Sequence, residues 1–147
     1  MAITPDGSTL LVAETYAFRI SAFGINPDGS LTGRSDWANL GTSPDKVPAP
    51  EPAIQAAHPL PDGICLDSEG ALWVADAGGD GALRVTEGGK IVGKVETPGL
   101  AVYAVALGGP DLKTLYMCAA PKLGISDPKV ERRGYLLSRE VDVPGLP

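Results

Sequence analysis

The chain has 147 residues and a formal net charge of −6, with 12 Lys and Arg against 18 Asp and Glu, so it holds no basic stripe for a phosphate backbone and no cationic face for anionic lipid. Nucleic acid and membrane surfaces are therefore excluded as expected partners, and no apolar run reaches the roughly 18 to 20 residues of a membrane span. The 19 Gly and 14 Pro, beside two Met, point to many short strands joined by turns in a single all-β domain.

The start, MAITPDGSTL, lacks a charged region followed by a long apolar one, so nothing marks it for export and the expected location is cytoplasmic. Residues Met1–Ile3 read as a short apolar strand, Pro5-Asp6-Gly7-Ser8 as a turn, and Thr9–Ala13 (TLLVA) as a second strand. Two further strands follow, Arg19–Ile25 and Leu31–Ala38, joined by a second PDG turn at 27–29. Glu14 and Arg19 are expected to pair across a loop in a structural role. Residues 41–60, GTSPDKVPAPEPAIQAAHPL, form a Pro-rich insertion without periodicity, of a kind that in a compact domain is functional or disordered.

The first pattern then recurs. Ile64–Leu66, the turn Asp67–Gly70 and Ala71–Ala75 (ALWVA) precede strands at Ala82–Thr86 and Ile91–Thr97. Val105–Leu107, the turn Gly109–Leu112 and Thr114–Cys118 (TLYMC) precede Gly134–Arg139 and a short Glu140–Val143. The repeats begin at residues 9, 71 and 114, spaced 62 and 43 residues apart. The second spacing matches the roughly 40 to 45 residues of a four-stranded propeller blade, and the insertion lengthens the first. The expected fold is an all-β propeller with three four-stranded blades; a β-sandwich fits the composition but not the period. Propellers close at roughly four to eight blades. Three blades are therefore expected to belong to a longer propeller or to pair with a second copy.

The third PDG, at 61–63, cannot be a hairpin turn, because Asp67–Gly70 already fills that position. It stands at the entrance of the innermost strand, which in a propeller faces the central channel. Asp62 is thus a channel-mouth carboxylate that either caps its own loop or ligates something in the channel. Tyr103 precedes Leu107 as Asp62 precedes Leu66, so it is expected in the channel, as a filling aromatic or a sugar contact. Asp76 reads as a solvated loop residue before Gly78-Gly79, with support of the site as its alternative. His58, the only histidine, reads as exposed, or else as overhanging the channel mouth. Cys65 and Cys118 read as reduced core residues. Open faces of the outer blades are expected to expose apolar residues such as Leu11 and Val12 and to drive self-association or aggregation. The one His lacks a motif-placed nucleophile, and the glycines form no phosphate-binding motif.

The segments AITPDGSTLLVAET, PDGICLDSEGALWVADAGG, GGPDLKTLYMCAA and VDVPGLP resemble the C-terminal half of the SMP-30/gluconolactonase family. The resemblance covers essentially residues 1–147 outside 41–60 and 121–132. It implies a six-bladed propeller that hydrolyses sugar lactones or related esters with a divalent metal in its channel, held by a Glu, an Asn and an Asp. Asp62 matches the Asp and is the one ligand that carries over, as metal ligand and as catalytic proton acceptor. The Asn would fall two positions before Met1, so the N-terminal half of the propeller, with the Glu, is expected to be missing from 1–147. The implied cofactor is calcium first, with zinc, magnesium or manganese as alternatives, and the implied partner is a small-molecule lactone. One carboxylate cannot satisfy a hard cation that wants roughly six or more oxygens, so the chain alone is expected to be inactive. A non-catalytic propeller module binding a small ligand or protein through its channel face is the alternative.

Overall fold

In a computed structural model, residues 1–42, 58–122 and 133–147 are described. They form three antiparallel sheets and, apart from one short 3₁₀ turn at Thr15–Ala17, no helix; none is long and apolar enough to cross a membrane. The first sheet runs β1 (Ala2–Ile3), β2 (Thr9–Glu14), β3 (Arg19–Ile25) and β4 (Leu31–Asn39) in sequence order. The second repeats it with β5 (Pro61–Leu66), β6 (Leu72–Asp76), β7 (Gly81–Val85) and β8 (Ile91–Glu96). The third has three strands, β9 (Leu100–Gly108), β10 (Thr114–Pro121) and β11 (Tyr135–Glu140). Each sheet is a meander whose neighbours in sequence are neighbours in space, which is a propeller blade. The all-β propeller reading is borne out, while most of the inserted segment, residues 43–57, lies outside the described residues.

The PDG turns at 5–7 and 27–29 form as the residue types require. Gly7 and Gly29 adopt φ of 72° and 82°, where an L side chain is strained. Asp6 accepts hydrogen bonds from the Thr4 hydroxyl (2.6 Å), the Ser8 hydroxyl (2.7 Å) and the Ser8 amide (3.1 Å). The Thr4 and Ser8 bonds hold its carboxyl down to about 2. Asp28 is held low in the same way by Ser30.

Two apolar layers hold the blades together. Leu11, Ile20 and Ala38 of the first blade pack on Ile64, Leu72, Val74, Leu83 and Val85 of the second. Trp73, Ala75 and Ala82 on the second blade's other face pack on Val102, Leu115, Met117 and Ala119 of the third. Strand β6 is therefore covered on both faces and buried at all five positions, which is why ALWVAD carries no polar alternation.

Three expectations need correction. Leu11 is 1% exposed in the interblade core, so only Val12 points to the open face; side chains alternate across a strand, and two successive residues cannot share a face. Cys118 is exposed rather than buried, for the same reason on β10. The third blade forms no fourth strand at Glu140–Val143. After β11 the chain turns across the blades instead: the Val141 amide donates to Lys113 O (2.9 Å), Gly145 N to Leu112 O (2.8 Å) and Ser68 N to Pro144 O (2.8 Å). Backbone groups satisfied at two turns are not free for a ladder, and Pro144 has no donor to offer one.

Glu14 does pair with Arg19, at 2.8 Å, but within a larger group that includes Arg34, at 3.0 Å, and the Ser21 hydroxyl. Burial pushes this carboxyl up, yet the hydrogen bonds from Arg19, Ser21 and Arg34 outweigh it and hold it at about 2 instead of the usual 4.5. A depressed folded pKa gives stability that is present above about 4.5 and is lost as pH falls towards 2. Glu14→Gln should therefore flatten the acid limb of the stability profile relative to the parent over that window. Parallel profiles in urea titrations across it would show that the group adds nothing.

Candidate functional site

The first strands β1, β5 and β9 are each an edge of their sheet, and β5 lies against both of the others. Three free edges thus converge on one side of the molecule. Asp62 and Gly63 lie on β5 at an irregularity where its pairing with β6 shifts register between Pro61 and Ile64. Asp62 is inside the strand, one residue past its start, rather than in a loop ahead of it. A bulge of this kind re-aims a side chain at an edge.

Gly63 is what brings β5 and β9 together. A Cβ at this position would stand 2.6 Å from Ala104 Cα and 2.9 Å from the Tyr103 carbonyl oxygen. Only a residue without a side chain permits that approach. It places Asp62 near enough to Tyr103 to act on it: burial first, and then the Asp62 charge, push the Tyr103 phenol above its ordinary value. Both side chains are half-buried.

The three PDG sequences end differently. Asp6 and Asp28 spend their oxygens on their own turns. Among the described residues nothing donates a hydrogen bond to the Asp62 carboxylate, so the loop-cap alternative finds no support. Asp62 keeps its lone pairs for something else.

Behind it stands Asp76, which is 9% exposed. Its Oδ1 accepts the amides of Leu60 (3.0 Å), Gly78 (3.1 Å) and Gly79 (2.9 Å). The solvated-loop reading of Asp76 is thus wrong. Asp76 pairs with Pro61 across β5 and β6 and fixes the backbone just ahead of Asp62. The signal was its place at the end of a wholly apolar strand, where an acidic side chain must find donors.

His58 is half-buried, its ring 5.4 Å from that of Phe18 at 54°, and it fills the space over Gly41. It packs where the inserted segment leaves and rejoins the first two blades. Cys65 is half-buried, and burial pushes its thiol up to about 11, which makes it inert.

Among the described residues no group of three or more His, Cys, Asp or Glu side chains is placed to hold a metal ion. These residues offer a hard cation one carboxylate and a neighbouring phenol, and by themselves they do not fit it. A cleft of ≈ 630 Å³ opens elsewhere, between β8 and the chain after β11, lined by Arg84, Lys94, Glu96, Arg139 and Glu140 among others. Neither Asp62 nor Tyr103 reaches it.

Comparison with known proteins adds the following. The family described as the SMP-30/Gluconolactonase/LRE-like region matches residues 1–121. Regucalcin of Xenopus laevis is 37% identical over 68 residues, 46% of this chain and 23% of that protein. A 6-deoxy-6-sulfogluconolactonase of Pseudomonas putida is 31% identical over 87 residues, 58% of this chain and 30% of that protein. The solved structure of regucalcin from Agrobacterium tumefaciens, described as a calcium-binding protein, superposes with a TM-score of 0.73 at 22% identity over 99% of this chain and 46% of that one. The chain thus spans less than a third of these two sequence relatives and about half of the solved structure.

Proposed function

Since the chain belongs to the SMP-30/gluconolactonase/LRE-like family, we propose that it serves the hydrolysis of a sugar lactone, with Asp62 as its contribution to the reacting centre. The observation that carries this is the uncommitted Asp62 carboxylate, aimed by a bulge on a free inner edge beside Tyr103. Lactone opening needs a polarised carbonyl, a water close to it and a group to take the water's proton. Asp62 accepts that proton. The Tyr103 phenol, kept in its neutral form, donates to a hydroxyl or ring oxygen of the sugar and orients it.

A divalent cation, calcium first and zinc, magnesium or manganese after it, would supply the polarising charge when bound. Asp62 is the one ligand this chain would give it, and the remaining donors would come from outside the described residues. Support comes from the oxygen chemistry of the carboxylate, which suits hard cations, and from lactonases among the relatives. The resemblance that places Asp62 in a metal set supports the same reading.

The test is hydrolysis of gluconolactone followed by acid release in a pH-stat, with each of the four cations in turn. The 147-residue chain alone is expected to be inactive, and in a protein that carries the remaining blades the metal-dependent activity should fall about 100-fold in Asp62→Ala and less in Tyr103→Phe. Activity untouched by Asp62→Ala would overturn the assignment.

A further inference from the structure

The joint between the first and second blades holds another cleft, of ≈ 330 Å³. Both of these blades have four strands, so complete sheets bound it. Thr4 and Thr9, which flank the first PDG turn, line one end. In the repeat that turn corresponds to Asp67–Gly70, whereas Asp62 lies at the other end of β5, where Pro61 pairs with Asp76. The cleft is therefore separate from the Asp62 site.

Two irregularities of β4 shape it. Ile20 pairs with Ala38 and Ser21 with Asp36, which leaves Trp37 without a residue opposite. Ala22 pairs with Ser35 and Gly24 with Thr32, which leaves Gly33 and Arg34 against Phe23 alone. Bulges re-aim side chains, and Trp37 and Gly33 both line the cleft. The second blade is fastened to the same strand. Its β7–β8 turn donates Gly88 N to Trp37 O at 2.8 Å. A Cβ on the next residue, Gly89, would stand 2.3 Å from Asn39 O, so only glycine lets the turn dock this closely. The docked turn brings Glu87 to the cleft.

The lining selects a ligand. Trp37 is half-buried and gives an aromatic surface, Glu87 is exposed and gives a carboxylate, and Ser35 adds a hydroxyl. Leu11 pairs with Ala22 where, one blade on, Trp73 pairs with Arg84, so the first blade has a methyl group in the place of a guanidinium. Among the described residues no Lys, Arg or His lines the cleft, and an anion finds no counter-charge there. An organic cation needs aromatic surface on several sides, which Ala22, Gly24 and Gly33 do not give. A ring with one apolar face and a rim of hydroxyls finds a partner for each part.

We propose that this cleft binds a neutral pyranose sugar, its apolar face on Trp37 and its hydroxyls donating to the Glu87 carboxylate. No bond of the sugar is broken there, and the assignment does not rest on the lactonase reading.

The test is a titration of the 147-residue chain with methyl β-glucoside, a sugar without a lactone. It is followed through the indole N–H signals of Trp37 and Trp73 in nuclear magnetic resonance, assigned with Trp73→Phe. The Trp37 signal is expected to move and saturate with a Kd on the order of 1 mM, while that of Trp73 stays still. Glu87→Gln, on an exposed turn, should weaken binding about tenfold by replacing a charged acceptor with a neutral one. Ala22→Arg, which writes the residue of the second blade into the first, should abolish it. Gluconate, of similar size but negatively charged, should not compete. Binding of gluconate or tetramethylammonium as tight as that of the glucoside, a Trp37 signal that never saturates, or an affinity unchanged by Glu87→Gln would each overturn the proposal.

Discussion

Gly63→Ala is expected to cost about 3 kcal/mol of stability, an overpacking penalty at the upper end of the usual range. The new methyl would meet Ala104 Cα at 2.6 Å and the Tyr103 carbonyl at 2.9 Å. Neither is the far end of a side chain that could swing aside; both belong to the β9 backbone. Relief requires β5 and β9 to separate, which carries Asp62 away from Tyr103. Two signals should move together: the urea midpoint falls, and the Tyr103 phenol, followed by its absorbance, titrates closer to its ordinary value. A variant as stable as the parent, with the Tyr103 titration unchanged, would mean that the two inner edges are not in contact.

Arg84→Met is the second large effect, about 3 kcal/mol or more. The Asp67 side chain is wholly buried, and Arg84 Nε meets its Oδ2 at 2.7 Å while Arg84 Nη2 reaches Glu69 at 2.7 Å. Asp67 Oδ1 is already taken by the amides of Glu69 (2.9 Å) and Ala71 (3.0 Å). Removing the guanidinium leaves a buried charge with two of its three hydrogen bonds and with Oδ2 bare, and that orphan charge, more than any lost attraction, sets the cost. The double variant with Asp67→Asn should consequently lose less than the sum of the singles, because no charge remains to be orphaned. Strict additivity in denaturant melts would show that the pair is not coupled. The hydrogen bonds that Arg84 donates to Asp67 and Glu69 keep its guanidinium charged, so the effect should persist across neutral pH.

The propeller was legible because its repeat is written in side chains that alternate. TLLVA, ALWVA and TLYMC each give a small, large, large, large, small order whose period of two fixes both faces of a strand. The turns were legible because PDG and DSEG carry their own geometry. Strand β9 was underestimated: Leu100–Ala104 pairs with Cys118–Pro121 through a bulge, and a bulge breaks the alternation by which a strand is recognised. The same is true at Asp62, where an irregularity hid the start of β5.

The site was half legible. That the third PDG differs from the other two follows from counting turns, and the structure bears out the difference, since Asp62 takes none of the turn bonds that Asp6 and Asp28 take. The role of Asp76 was legible only from the apolar strand it ends, because the two glycines that follow read alike whether its oxygens face water or the amides of Leu60, Gly78 and Gly79. Nor was Gly63, whose need for a missing side chain comes from residues forty positions away, at Tyr103 and Ala104. Long-range approach of two backbones leaves no local mark.

The chain after β11 has a bearing on the order in which the molecule is made. Pro144 accepts from Ser68, Gly145 donates to Leu112, and Asp67 and Gly145 form an isolated bridge. Each meander can close from its own neighbours as it leaves the ribosome, first blade first. The stitch between the turns of the second and third blades has to wait for residues that come after all three sheets. Until then the Asp67 turn is held by its own hydrogen bonds and by Arg84, all within the second blade, and the pairing of the last two blades is provisional. A nascent chain halted before Pro144 should thus carry three formed blades whose final joint is still loose, a window in which a protease or a chaperone would find the turn at Ser68 open.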